Sequence, residues 1–372
     1  MKSADRFPPF FSIYIHVPFC WNLCDFCHFY REKPREVEAY LDALAREVDS
    51  ISGTISAPVR SVYVGGGTPS VLPSGFYESL FRHLDEAFFI DGTLESSIEV
   101  VPEAGTDELG RLQEAGFGRV SIGIKSFDPD SLAALGVRRE EESAERSVEA
   151  ARSAGFISVG IDLVYGFSGQ EEESFINDLQ TALLLDPDHI SLYSLVQRAD
   201  SGPREINQDT AAAMFTESRR ILIAGGYSQY EICNFAKPGH ECLHNINYWR
   251  DGDFIGLGPS AHSAVTAEGT RSRWRNVPDL EAYMDDPGSV KEELCVEGPE
   301  IRPAEALMLA LRQTEGVDID HFILRYGKDP RIILGPSLKR FRELGLIRTS
   351  ARRIRLTTRG MLLSNEVFGA IV

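Results

Sequence analysis

No stretch of this chain approaches the ~18 consecutive apolar residues of a membrane span. Residues 1–9 are short and polar, without the charged leader, apolar centre and cleavage site of a secretory signal. Basic side chains are in short supply: 38 Lys and Arg stand against 56 Asp and Glu, a net charge of -18 at pH 7. A surface of that sign argues against non-specific nucleic-acid binding. It is spread along the chain rather than gathered in a tail, and suits solubility. Cysteine is scarce as well, with six residues in 372, three of them crowded together. That is no secreted disulfide framework. Internal repeats and low-complexity linkers are lacking. These absences lead to the expectation of a cytoplasmic globular protein, and a 43% hydrophobic composition is enough for a substantial core.

The crowded cysteines are Cys20, Cys24 and Cys27, in a loop that follows an apolar run at 10–17 with the look of a strand. Three thiols so close cannot all pair with one another, and the steps between them are short for disulfide geometry. A metal use is favoured, because thiolates select iron-sulfur clusters and zinc. Zinc in a structural site takes a fourth ligand, and His28 is available, although adjacent side chains such as Cys27 and His28 diverge. Three cysteines alone would leave an open position for a ligand. Cys233, Cys242 and Cys295 are scattered, and small buried side chains are the ordinary reading of such cysteines.

Beyond the loop, strand and helix patterns alternate. Strands are predicted at 59–64, 96–101, 119–124, 158–165 and 189–195, and helices at 35–50, 76–87, 106–115, 140–154 and 173–184. With the first strand this makes six β/α units, hence a parallel sheet with right-handed crossovers and an open or partial barrel. Functional groups in such folds collect at the C-terminal strand ends. There the sequence places the cysteines, the run from Gly65 to Pro69, Glu99, Lys125, Asp162 and the segment 193–196. Consecutive glycines let backbone approach a ligand closely, although a plain turn needs them too. Glu99 and Asp162 taken singly read as strand-end polar groups.

The spacing CxxxCxxC, with Phe26 before the last cysteine, resembles the signature of radical S-adenosylmethionine (SAM) enzymes. More widely the chain resembles the oxygen-independent coproporphyrinogen III oxidase family, in its haem-chaperone branch. Nine phrases carry this in the family's order: YIHVPFCWNLCDFC, VYVGGGTPSVL, IEVVPE, GFGRVSIGIKSFDPDSL, GIDLVYGF, HISLYSL, YEICNFAKPG, HNINYW and IGLGPSAHS. The resemblance implies an α/β fold, a partial (β/α)6 radical SAM barrel over 1–200, an extension over 201–298, and a winged-helix-like domain over 299–372 that covers the active site. It implies a 4Fe-4S cluster on Cys20, Cys24 and Cys27, with SAM on the free iron. SAM contacts would come from Tyr14, Phe26, Gly66, Gly67, Thr68, Glu99, Asp162, the Val196 backbone and His262. An electron donor such as a flavodoxin or ferredoxin, and a haem-accepting protein, are the implied partners.

Two positions depart from the family. Lys125 stands where Gln is usual, and Val137 where an Arg follows a Leu-Gly pair, with Arg138 and Arg139 just beyond. Lys125 would supply a point charge in place of a bidentate fork, or Arg138 would swing in. The segment from His244 to Trp249 matches the branch's HNxxYW motif, associated with haem, and His is a common axial ligand. A packed core histidine is the alternative. Residues 303–313, 319–326 and 334–344 read as helices, followed by a hairpin. This last segment is locally basic, at Lys339, Arg340, Arg342, Arg348, Arg352, Arg353 and Arg355, yet the whole-chain charge disfavours DNA. The expected role is haem binding and delivery. Its rivals are an oxidase acting on coproporphyrinogen III propionates, disfavoured by the short N-terminus, and a methyltransferase using two SAM molecules on an aromatic carbon.

Overall fold

In the computed structural model, which describes residues 10–24, 26–55, 57–140, 142–195, 207–289 and 291–371, period-two alternation along the strands decides where the core lies. Six parallel strands stand side by side in chain order: β1 (Phe11–Val17), β2 (Val59–Gly66), β3 (Ile90–Val100), β4 (Arg119–Lys125), β5 (Ser158–Tyr165) and β6 (His189–Ser194). The connecting helices are α1 (Val37–Ile51), α2 (Ser74–Ala87), α3 (Thr106–Glu114), α4 (Pro129–Ala134), α5 (Ser143–Ala154) and α6 (Glu172–Leu185). Ile13, Ile15, Val62, Val64, Val120, Ile122, Ile161 and Leu163 are buried in one core with the helices' Leu44, Leu84, Leu109, Val148 and Phe175. The residues between them, including Ser12, Ser61, Tyr63, Glu99, Ser121 and Asp162, form a polar inner face. Its groups satisfy one another: Ser61 Oγ donates to Ser12 Oγ at 2.7 Å, Tyr63 OH to Glu99 Oε1 at 3.0 Å, and Ser121 Oγ to Asp162 Oδ1 at 3.0 Å.

Six strands leave two open edges, and the following residues pair with both and carry the edges outward. After α7 (Gln208–Ala224), β7 (Ser228–Gln229) and β8 (Asn234–Ala236) turn back, and β8 pairs antiparallel with β6. After α8 (Leu243–Trp249), β9 (Phe254–Leu257) pairs parallel with β1. Then β10 (His262–Ala267), β11 (Thr270–Asn276), α9 (Leu280–Asp285) and β12 (Lys291–Glu297) follow, and the sheet reaches twelve strands. Helix α8 itself packs on β1 and β2, where Asn247 Nδ2 donates to Ser12 Oγ at 2.9 Å. Ser12 lies at the start of β1, so α8 closes the end of the barrel opposite the cysteines.

The last residues fold as α10 (Arg302–Leu311), β13 (Val317–Asp318), α11 (Ile319–Tyr326), α12 (Pro330–Glu343), β14 (Ile347–Thr349), β15 (Arg353–Leu356), α13 (Thr358–Leu362) and α14 (Ser364–Phe368), with strand order β13-β15-β14. Three helices, α10 to α12, followed by a small wing match the winged-helix expectation, and two short helices, α13 and α14, end the domain. Helix α12 is interrupted at Gly335 (φ 50°), because Pro336 supplies no amide and the residue before a proline avoids helical backbone.

The expected cover over the site is corrected by the structure. This domain docks at the far end of the barrel, because its anchoring groups meet the loop between α8 and β9. Asp251, buried, accepts Arg302 Nε at 2.9 Å and Tyr326 OH at 3.0 Å and pairs by charge with Arg271 at 3.3 Å, while Arg312 lies 4.3 Å over the Trp249 ring. Among the described residues no helix is long and apolar enough to cross a membrane.

Candidate functional site

The cysteine loop is closed at its base by the chain itself. Cys20 N donates to Glu32 O at 2.8 Å and Glu32 N to Pro18 O at 2.7 Å, while the buried Phe19 ring meets Tyr40 edge-on at 5.3 Å. Within the loop Arg31 folds back. Its Nη1 donates to Cys27 O at 2.9 Å and Phe29 O at 3.1 Å, and its Nη2 donates to Cys24 O. All the cysteines are thiols. Burial pushes the Cys20 thiol up, opposed by the Thr68 hydroxyl 3.3 Å from its sulfur and by the charge of Arg31.

The glycine run follows β2 directly and fits against this loop. Gly67 N donates to Val17 O and Thr68 N to Phe19 O, each at 2.7 Å. A Cβ on Gly67 would meet Phe19 O at 2.6 Å, and one on Gly66 (φ 107°) would enter the His16 ring at 2.4 Å. Only glycine permits this approach. Glu99 holds the turn from the next strand, accepting Gly66 N at 3.2 Å. Burial and then the charge of Asp162 raise the Glu99 carboxyl to about 7, and burial raises Asp162 as well. Lys125, at the end of β4 with φ 70°, acts against both shifts while its Nζ donates to Gly123 O at 3.1 Å.

These elements surround a cavity of about 490 Å³ lined by Cys20, Cys24, Phe26, Cys27, Gly67, Thr68 and Lys125. Phe26 packs with Val137 and Leu195 against buried Leu135, Val164 and Phe167, giving the cavity one apolar wall. Arg138 lines it from an exposed position. Arg139 also lines it but is committed to backbone, donating to Ile124 O at 2.7 Å and Ser126 O at 2.8 Å. Among the described residues no trio of His, Cys, Asp or Glu is gathered about one point as a single ion would need.

Other expected residues stand apart. Tyr14 lies on the inner face of β1 with its hydroxyl 3.1 Å from His16 Nδ1, and His262 opens β10 at the surface, opposite Arg275. Neither lines the cavity, and Gly66, Glu99 and Asp162 lie behind its lining rather than in it. Val196 lies outside the described residues. His244 is buried beneath, with Nδ1 3.0 Å from Ser61 Oγ and Nε2 2.7 Å from Tyr248 OH. Burial pushes it down to about 3, so it is a neutral ring with both nitrogens engaged. Cys233 and Cys242 flank this region with thiols raised by burial to about 12. Sequence reasoning passed over Arg31 and His16. A lone cation just after the third cysteine, and a histidine in phase with Tyr14 on the polar face, were the available signals.

A parallel β/α barrel with a CxxxCxxC loop after its first strand has the architecture of the Radical SAM superfamily, and residues 14–182 match that superfamily. Residues 299–363 match the HemN C-terminal domain. Heme chaperone HemW of Bacillus subtilis (strain 168) is 32% identical over 378 residues, covering 97% of this chain and 99% of that protein. The Heme chaperone HemW of Escherichia coli (strain K12) is 31% identical over 375 residues, covering 97% and 98%. A solved structure of coproporphyrinogen III oxidase (HemN) from Escherichia coli, a radical SAM enzyme, superposes with a TM-score of 0.82 at 25% identity, covering 98% of this chain and 90% of that one. The chain belongs to the coproporphyrinogen III oxidase-like family of radical SAM proteins, on the branch of Heme chaperone HemW. Membership of the superfamily implies a 4Fe-4S cluster and SAM.

Proposed function

We propose that Cys20, Cys24 and Cys27 hold the cluster, that SAM occupies the adjoining cavity, and that the protein binds haem and passes it to an acceptor protein in the cytoplasm. The residues present fit the first two groups. Three thiols ring one cavity, their chemistry suits iron-sulfur, and the bare backbone at Gly67 lets the turn close on the loop. The cavity volume, about 490 Å³, lies within the range of about 300–1,000 Å³ usual for small-ligand sites.

In this reading Gly66, Gly67 and Thr68 receive the amino group of SAM, and Glu99 and Asp162 place negative charge near its cationic part. Lys125 or exposed Arg138 meets its carboxylate, and Phe26 with its apolar neighbours receives the adenine, beside the Val196 backbone. Tyr14 and His262, which do not line the cavity, would meet SAM only where it extends beyond it. Held by Cys20, Cys24 and Cys27, a 4Fe-4S cluster would supply the electron for SAM cleavage, with a flavodoxin or ferredoxin as its donor.

The observation that carries the haem reading is the likeness to Heme chaperone HemW over 97% of this chain. His244 enters it in one form only: Tyr248 OH must leave Nε2 before that nitrogen reaches iron. The test is a spectroscopic haem titration of anaerobically reconstituted protein beside a His244→Ala variant. Saturation near one haem per chain, lost in the variant, supports both the role and the ligand. Binding that survives the substitution moves the ligand elsewhere, and no binding removes the haem role. The 0.82 superposition on coproporphyrinogen III oxidase favours an enzymatic second reading. Its mark would be 5'-deoxyadenosine formed in step with porphyrinogen consumption.

A further inference from the structure

Arg31 makes more of its guanidinium than loop packing explains. Two of its nitrogens hold the carbonyls of Cys24, Cys27 and Phe29. The third, Nε, is buried and has no hydrogen-bond partner among the described residues. A buried donor left unpaired costs about 1–3 kcal/mol, more when charged, so such an atom asks for an acceptor. Arg31 lines the same cavity wall as Cys20, Cys24 and Cys27, and its charge is felt at the Cys20 thiol. The acceptors that a cluster brings to this place are thiolate and sulfide sulfurs.

We propose that Arg31 is a positioning residue that clamps the cysteine loop and donates Nε–H to a sulfur of the 4Fe-4S cluster, raising its reduction potential. The inference rests on the assignment of the cluster to the three cysteines. Hydrogen bonds to sulfur and nearby positive charge both favour the reduced, more negative cluster. The step concerned is the uptake of one electron by the oxidised cluster from a one-electron donor of the flavodoxin or ferredoxin class, which is oxidised by one electron. No proton is transferred, because the guanidinium remains charged throughout. Lysine offers a charge without the planar fork, so it cannot serve the loop carbonyls and the sulfur together.

The test uses the full chain, reconstituted anaerobically without SAM, as wild type, Arg31→Lys and Arg31→Met. Redox titration with dithionite, followed by electron paramagnetic resonance of the reduced cluster, reads the potential. In Arg31→Met the ratio of reduced to oxidised cluster at a fixed poise is expected to fall about tenfold, ~59 mV for a one-electron couple, with Arg31→Lys between. An unchanged ratio in a fully loaded Arg31→Met protein overturns the proposal.

Should that variant take up no iron, wild type carrying 15N-arginine decides. Pulsed resonance is expected to show coupling of the reduced cluster to an arginine nitrogen, abolished in Arg31→Lys. No coupling, or coupling that survives Arg31→Lys, overturns it. A wild type that assembles no 4Fe-4S cluster refutes the cluster assignment itself and the inference with it.

Discussion

Glu99 accepts the backbone amide of Gly66 at 3.2 Å, so the end of the third strand holds the glycine turn that follows the second. The same carboxylate takes the Tyr63 hydroxyl at 3.0 Å and leaves no room for a side chain on Gly65, whose Cβ would lie 2.9 Å from it. A group fixed so closely, and raised by burial and by Asp162 to about 7, makes the site sensitive to pH.

The sign follows from proton counting. Between the ordinary carboxylate value and about 7 the folded, unliganded protein keeps a proton on Glu99 that the unfolded chain releases. Glu99's contribution to stability is therefore full in acid and lost as pH rises through about 7. A cationic ligand requires the ionised form. SAM affinity, measured calorimetrically in the absence of oxygen, should improve about tenfold between roughly pH 6 and pH 8. Glu99→Gln should flatten that dependence. Parallel profiles would show that Glu99 does not face the ligand.

Lys125 combines an unfavourable backbone with a useful charge. Lys125→Gly should relieve its φ of 70° and stabilise the fold by about 1 kcal/mol, while weakening SAM about tenfold, ~1.4 kcal/mol. Lys125→Arg, which keeps the charge, should lose less affinity. Thermal unfolding and titration separate the two effects. Unchanged affinity in Lys125→Gly would mean that the carboxylate of SAM is held elsewhere, with Arg138 the next residue to replace.

Gly67→Ala should spoil the site and spare the fold. The added Cβ meets the Phe19 and Val17 carbonyls at 2.6 and 2.8 Å, both backbone atoms that cannot swing aside. The expected result is a circular dichroism spectrum like that of wild type together with reduced iron and sulfide content after reconstitution. Full loading would show that the turn and the cysteine loop are less closely fitted than this.

Asp251→Ala should release the C-terminal domain. The aspartate lies among Arg271, Arg302 and Tyr326, and its loss leaves buried positive charge, about 3 kcal/mol against stability. Arg271 keeps Asp253 at 3.0 Å as a second partner, which limits the damage. Denaturant unfolding with limited proteolysis would show earlier cleavage near residues 298–302. An undiminished midpoint would exclude Asp251 as the latch.

The barrel was legible because its strands obey a simple rule. Val120, Ile122 and Ile124 alternate with Arg119, Ser121 and Gly123, and the strand predicted at 119–124 is observed as Arg119–Lys125. Spacing alone brought out the cysteine loop. The strands β7 and β8 were not legible, since they have two and three residues and acquire their form from pairing with β6 and with each other. Helix α4 was missed for a similar reason: six residues, begun by the Asp128 cap on Ser131 N, carry too little periodicity. The place of the C-terminal domain depends on Asp251 meeting three side chains from distant positions, which no local pattern foretells. The setting of His244 was only half legible: Tyr248 lies one turn on in the same helix, whereas Ser61 comes from a strand 183 residues away.

The central claim is that this radical SAM scaffold delivers haem. The most direct measurement mixes haem-loaded, cluster-containing protein with a haem-free acceptor enzyme and follows recovery of the acceptor's activity, with 5'-deoxyadenosine quantified in the same samples. Transfer of about one haem per chain, with SAM cleavage far below one turnover per haem delivered, is the predicted result. Absence of transfer, joined to many turnovers of SAM in the presence of a porphyrinogen, would contradict the account and make the protein an enzyme.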